Sequence, residues 1–402
     1  MEHVRAGEPA AIVVVGAGII GLTAAWRALL AGASVTVLDP APGDGATHAA
    51  AGMLGPVMEA EFGEERLART GARSVRLWPG FAAELEQAAR LAPGTLGLDT
   101  RGTLAVAYDA DDAAALRRRL TLHRTLGLES EEISPAQARD REPALGPRVA
   151  GAAWIPGDHQ VDPRAVHRAL LDVVRAHPRA HLAERTATAL TWNDGTVSGV
   201  LDDTGTRWGT AGGDGRSPSR TVVLAAGHAS ATLYPGAPTR AVPGTTLRLD
   251  ADATAGPSTV VRGTVQGRPV YVVPRRARPD GRREIVVGAT SDERAATTRT
   301  RAGDVFALLR DARALLPALD EADLVETTTR SRPGTPDNTP LLGRAAPGLV
   351  LATGHYRGGI LLAPHTAATL DTLLTTVPGA TAGEPADPPH GPDTQESPCP
   401  TN

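Results

Sequence analysis

Chemistry is first legible where glycines are spaced to admit phosphates. Gly16-Ala17-Gly18-Ile19-Ile20-Gly21 reads GxGxxG. In that spacing Gly16 permits a tight turn, Gly18 lets the backbone approach a pyrophosphate, and Gly21 lets the next helix pack on the preceding strand. The start of that helix offers free N–H groups and a partial positive charge to the phosphates. Asp39 follows at the distance where an acid bonds ribose hydroxyls. A second signal is Arg357, which precedes Gly358-Gly359 and an apolar run. A cation among glycines at a helix start has little structural purpose. The chain has no lysine, so Schiff-base chemistry is excluded. Its single cysteine, Cys399, excludes a disulfide framework and a Cys-ligated metal. The eleven histidines show no HxxxH spacing, and no metal is expected.

These residues need elements to position them. Ile12-Val13-Val14-Val15 is a β-branched run suited to a buried parallel strand. Thr23 to Leu30 reads as a helix ended by Gly32, and Ser34 to Leu38 as the second strand. A bare GxGxxG also suits a tight turn with no ligand; with strand, helix, second strand and acid in register, a dinucleotide site is the stronger reading. Its N-terminal position points to FAD rather than NAD, as does Thr221 to Ala225, a strand ending near Gly227. Further along, Leu98 to Tyr108 reads as a strand pair around Arg101-Gly102. Ala110 to Leu126 reads as a helix, as does Val161 to Ala176 with Asp162 as N-cap. Val270 to Pro274 and Ile285 to Val287 read as strands of a separate sheet. Leu349 to Ala352 reads as a strand and Ile360 to Leu374 as a helix. Residues 211–220 read as a flexible surface loop.

The 402 residues are too many for one compact core and suggest two domains or one large α/β unit. A net charge of −4 offers no global field for nucleic acid. No run of 18 apolar residues suggests a membrane span, and no basic segment precedes the first apolar run, so a cytoplasmic protein is expected.

Three further stretches carry a family resemblance: Ala49-Ala50-Ala51-Gly52-Met53-Leu54; Arg332-Pro333-Gly334-Thr335-Pro336-Asp337-Asn338; and Ala352-Thr353-Gly354-His355-Tyr356-Arg357-Gly358-Gly359-Ile360-Leu361-Leu362-Ala363-Pro364. With the N-terminal motif they resemble the D-amino-acid oxidase family of flavoproteins, and within it the glycine oxidases of thiamine biosynthesis. The resemblance runs from about residue 11 to about residue 375 and is strongest at the two ends.

The resemblance implies an α/β fold: a Rossmann-like FAD-binding domain assembled from discontinuous segments (1–94, 156–240, 326–377), and an inserted α+β substrate domain with a mainly antiparallel sheet (95–155, 241–325). Residues 378–402 would be a disordered tail. Noncovalent FAD would lie along Gly16, Gly18, Ile19, Ile20, Gly21, Asp39, Pro40, Ala46, Thr47, Ala51, Gly52, Met53, Thr188, Gly227 and the run His355, Tyr356, Arg357, Gly358, Gly359, Ile360, Leu361. The active site would comprise Tyr271, Arg332, Arg357 and Met53. Tyr271-Val272-Val273-Pro274 matches the family's Tyr-x-x-Pro strand, although Tyr271 also reads as an ordinary strand aromatic. A histidyl link to the flavin would need the histidine immediately before Ala50-Ala51-Gly52; Ala49 holds that place and His48 lies one residue earlier.

The implied reaction is oxidation of a small amino acid, glycine foremost, with O2 as acceptor and hydrogen peroxide, ammonia and glyoxylate as products. A carboxylate anchor such as Arg332 and a neutral amine are its requirements, and no protein base is needed. Sarcosine or D-amino-acid oxidases and dehydrogenases of the same fold are the alternative. A flavin domain acting on modified tRNA is an alternative of another class, which the acidic balance disfavours. A thiazole synthase as partner and a homotetramer also follow from the resemblance. Two departures bear on substrate preference. Arg330 lies two residues before Arg332 on the same strand and could compete for the anion. Ser291 stands where relatives carry a methionine.

Overall fold

In a computed structural model the described residues are 11–209, 220–293 and 296–375. The expected tail at 378–402, Cys399 and nearly all of the loop expected at 211–220 lie outside them.

The chain builds two principal sheets. The first has six strands in the order Leu341–Ala346, Leu349–Thr353, Arg220–Leu224, Ala11–Val15, Ser34–Leu38 and Ala180–Ala183. Every neighbouring pair is parallel except Leu341–Ala346 with Leu349–Thr353. Its β-branched strands pack against helices Ile19–Leu30, Pro163–Ala176 and Ala363–Thr375. Trp26 and Trp78 are fully buried there and meet Phe81 edge-on, with ring centroids 5.5 and 5.3 Å apart. Strands Ala187–Asn193, Thr196–Asp202 and Arg207–Trp208 form a separate antiparallel meander.

The second sheet has eight strands: Asp323–Gly334, Arg240–Asp252, Arg282–Gly288, Arg268–Pro274, Val260–Val265, Thr103–Ala107, Gly151–Ile155 and Glu131–Ile133. It is antiparallel throughout except where Val260–Val265 runs parallel to Thr103–Ala107. Helix Ala302–Leu315 packs on one face. The other face packs against Ala51 and Met53. Strand Asp323–Gly334 crosses the boundary expected at 325/326 and carries Arg332 on the same strand that pairs with Arg240–Asp252.

Several local expectations need correction. The strand Thr103–Ala107 does not pair across Arg101-Gly102; it pairs with strands distant in sequence, while Asp99 bridges Gln160. The last helix begins at Ala363 rather than Ile360, leaving 354–362 as an irregular loop. Pro364 then falls in the first turn, where its missing N–H costs nothing. Helix Glu65–Ala88 escaped the sequence reading because Gly71, Pro79 and Gly80 interrupt it. Strand Arg240–Asp252 and helix Ala302–Leu315 were also unforeseen.

Candidate active site

A cavity of about 1160 Å³ runs from the glycine turn past residues 46–53 to the face of the eight-stranded sheet. Small-molecule sites commonly enclose about 300–1,000 Å³, so a dinucleotide and a small substrate can share it.

The turn is built as its spacing demands. Gly16 has φ +106, and a Cβ there would stand 2.4 Å from the Ala225 carbonyl oxygen. A Cβ on Gly21 would stand 1.8 Å from the Gly16 oxygen, so Gly21 serves helix packing and not the cavity wall. Thr47 Oγ1 accepts from the Ile19 N–H at 3.1 Å. Asp39 reaches the cavity, and its carboxylate accepts from the N–H groups of Ala17 at 2.6 Å and Ala41 at 2.8 Å. Gly18, Ile19, Ile20, Pro40, Ala46, Thr47, Ala51, Gly52, Met53, Gly227 and the whole run His355 to Leu361 line the same cavity. Thr188 does not. It is exposed on the meander, with Oγ1 donating to the carbonyls of Leu201 and Asp202, and Thr186 and Ala187 take the cavity positions instead.

Both long walls are pinned through their carbonyls. Arg164 donates to His48 O at 3.1 Å, Thr246 to Ala49 O at 3.1 Å, and Arg275 to Ala51 O at 2.6 Å. On the other wall Ser74 Oγ and Trp78 Nε1 both donate to Leu361 O, at 2.7 and 3.1 Å. Burial pushes His355 down to about 4, so it is neutral, with Nε2 2.9 Å from Thr366 Oγ1. His48 is not on the cavity wall. Arg164 Nη2 donates to its Nε2 at 2.9 Å, and Glu326 lies 3.6 Å away. The glycine cradle, the pinned small-residue segment and the volume fit FAD: residues 16–20 and 39–40 would hold its adenosine and phosphates, and 46–53 with 354–361 its ring end.

At the far end Tyr271, Arg332 and Arg357 meet on one cavity. Tyr271 pairs across the sheet with Arg262 on one side and Gly288 on the other. Its ring lies over Gly288, where a Cβ would stand 2.4 Å from the hydroxyl oxygen. Arg332 lies over Gly244, where a Cβ would stand 2.1 Å from Nη1. These two missing side chains make the floor on which both groups rest. Arg332 Nη1 donates to Thr290 O at 3.2 Å, and among the described residues it has no carboxylate partner. Burial raises the Tyr271 hydroxyl, against the pull of Arg332, Arg357 and Arg262, so it stays protonated at neutral pH.

Arg357 is held differently. Glu59 pairs with its Nε at 3.0 Å and with Arg262 Nη1 at 2.7 Å. Burial works against the Glu59 carboxylate, but the two guanidiniums prevail and hold it at about 2. Glu59 in turn raises Arg357 further above its ordinary value. Arg330 is tied to Asp44, with Nη2 2.5 Å from Oδ1 and Nε 2.6 Å from the carbonyl, so it is not a free competitor for an anion. Ser291 is on the wall. Glu59, Arg262, Gly244 and Gly288 went unread in the sequence. An arginine inside the apolar strand Val260–Val265 was the one local sign.

Among the described residues, no helix is long and apolar enough to cross a membrane. Two curated relatives and one solved structure are similar to this chain. The bifunctional protein ThiO/ThiG of Trichormus variabilis is 34% identical over 371 residues, 90% of this chain and 52% of that protein. The chain thus spans about half the length of the first curated relatives it matches. Glycine oxidase of Geobacillus kaustophilus is 32% identical over 368 residues, 88% of this chain and 90% of that one. A crystal structure of glycine oxidase from Geobacillus kaustophilus superposes with a TM-score of 0.78 at 29% identity, covering 92% of this chain and 96% of that one. Residues 11–373 match the model of the family described as FAD dependent oxidoreductase. A glycine-cradled cleft of dinucleotide size, within a sequence that matches the family model over residues 11–373, makes this chain a member of the FAD-dependent oxidoreductase family.

Proposed function

We propose that the chain oxidises the amine of glycine, consuming O2 and water and yielding glyoxylate, ammonia and hydrogen peroxide. The observation that carries this reading is Arg332, a guanidinium with no carboxylate partner among the described residues, beside a protonated Tyr271 on the cavity that the cofactor segment lines. Arg332 takes the substrate carboxylate through its planar fork, and the Tyr271 hydroxyl donates a second bond to it. Gly244 and Gly288 keep the floor low beneath both groups, and Tyr271 and Met53 pack in one cluster with Ala51. FAD, when bound, supplies the acceptor for the Cα hydride and passes the electrons to O2. No side chain has to take a proton, provided the amine arrives neutral. The glycine oxidase and ThiO/ThiG relatives support both this substrate and a hand-over of the imine to a thiazole synthase. The two sheets also support the two-domain division expected above, with the substrate sheet extended to Gly334.

A second reading rests on the cavity's reach to Leu116, Arg119 and Leu122 of helix Ala110–Thr125. That extension gives room for an N-substituent or a side chain, as in sarcosine or a small D-amino acid. The test offers glycine, sarcosine, D-alanine and D-proline in turn to the FAD-loaded chain and measures hydrogen peroxide. Glycine should give the highest kcat/KM. Peroxide from none of them, with FAD retained, sinks both readings.

A further inference from the structure

Arg262, Arg332 and Arg357 all bear on Tyr271, and all three line the cavity. Two of them share Glu59: Oε1 is 2.7 Å from Arg262 Nη1 and Oε2 is 3.0 Å from Arg357 Nε. A guanidinium released from Glu59 could grip a carboxylate as well as Arg332 does, because the fork is the same. Glu59 therefore decides how many anion anchors the cavity offers.

Glu59 sits at the end of a tight turn, its N–H donating to Gly55 O at 3.0 Å. A fully buried carboxylate from elsewhere in the chain holds that turn. Asp158 Oδ1 accepts from Val57 N at 2.9 Å, and Oδ2 from Met58 N at 3.0 Å. Gly55 lies so close that a Cβ there would be 2.8 Å from Oδ2. The charged groups facing Asp158 are Arg262 on strand Val260–Val265 and Glu59 on the turn; His123, buried on helix Ala110–Thr125, faces Val57.

We propose that Glu59 is a specificity residue that occupies Arg357 and Arg262, leaving Arg332, of the three arginines that bear on Tyr271, as the fork open to the substrate carboxylate. Asp158 is the positioning residue that keeps Glu59 there through the Val57 and Met58 N–H groups. The inference rests on the reading of Arg332 as anchor. Without Glu59 in place, a carboxylate binds in a second orientation at Arg357, with Cα displaced from the cofactor segment. Unproductive binding of that kind lowers kcat and KM together and leaves kcat/KM nearly unchanged.

The experiment measures acetate affinity by titration calorimetry on FAD-loaded protein, alongside glycine kinetics. Glu59→Gln should bind acetate about tenfold more tightly, the scale of one added charge-assisted contact, and kcat and KM for glycine should fall in parallel. Asp158→Asn should move both in the same direction, and the double variant should match Glu59→Gln rather than add to it. Wild-type protein supplies a check that needs no variant at Asp158. Burial pushes the Asp158 carboxyl up to about 7 despite Arg262. Wild-type acetate affinity should therefore step upward as pH falls through that range, and Glu59→Gln should lack the step. Arg332→Ala should abolish acetate binding, and Glu59→Gln in that background should restore it. Binding retained by Arg332→Ala alone overturns the anchor. Binding not restored in the double variant, or acetate affinity unchanged in Glu59→Gln, overturns the present inference and leaves the anchor standing.

Discussion

Replacing Arg332 with alanine separates the cost of losing a substrate contact from the cost of losing a structural one. Its guanidinium makes one bond to the protein, to Thr290 O at 3.2 Å, and neutralises no carboxylate among the described residues. Its removal therefore strands no buried acid, and Tm should move by only a few degrees. Glycine loses both arms of the fork. Two charge-assisted bonds at about 1.5–3 kcal/mol each amount to about 3–6 kcal/mol, or roughly 10²–10⁴ in kcat/KM. Arg332→Lys should recover little, since an ammonium cannot form the pair of parallel bonds. Gly244→Ala provides an independent arm. An added Cβ would stand 2.1 Å from Arg332 Nη1, so the guanidinium must leave its place while its charge remains. That variant should reproduce much of the alanine defect although it removes no functional group. The assay is steady-state peroxide release with glycine, with FAD content read from absorbance and Tm from thermal unfolding. If Arg332→Ala holds its FAD and stays within about threefold of wild-type kcat/KM, the carboxylate is anchored elsewhere and the site is drawn around the wrong arginine.

Two further predictions rest on the pinned wall. The flavin should be released by acid precipitation, leaving the yellow colour in the supernatant, because His48 is engaged by Arg164 and Glu326 off the cavity wall; colour in the pellet refutes this. Glu326 accepts both arms of Arg164, at 2.6 and 2.9 Å, and this pairing, against the cost of burial and with help from Thr328, holds its carboxyl at about 2. A lowered carboxyl stabilises the fold above its ordinary value and loses that stabilisation as pH falls toward the lowered one. Glu326→Gln should therefore unfold at lower temperature than wild type at pH 7, and the gap should close between about pH 4.5 and 2; a gap independent of pH refutes the assignment.

The cofactor half of the site was legible because its logic is local. Gly16 to Gly21 place a turn, a phosphate approach and a helix contact within six residues of one another, and the strand and helix that confirm them are adjacent in sequence. The substrate half was legible only as isolated residues. Arg330 and Arg332 look equivalent on the strand, separated by one residue, yet one is tied to Asp44 across 286 positions of sequence while the other is left open. No spacing rule carries that difference, since it depends on which loop the folded sheet faces. The same holds for Glu59, whose partners Arg262 and Arg357 come from a sheet strand and from the last loop. Thr188 lies off the cavity wall for a smaller reason: its hydroxyl turns onto the carbonyls of Leu201 and Asp202, while Thr186 and Ala187 reach the wall. What a motif supplies is a list of groups able to do the chemistry. What the fold adds is which of those charges are already spent on one another, and that alone decides where an incoming carboxylate can bind. Of the arginines on the cavity wall, Arg262 and Arg357 are committed to Glu59 and Arg330 to Asp44. The anion specificity of this cavity is thus set by its acids as much as by its arginines, and a change at Glu59 or Asp44 should alter substrate binding without touching the anchor itself.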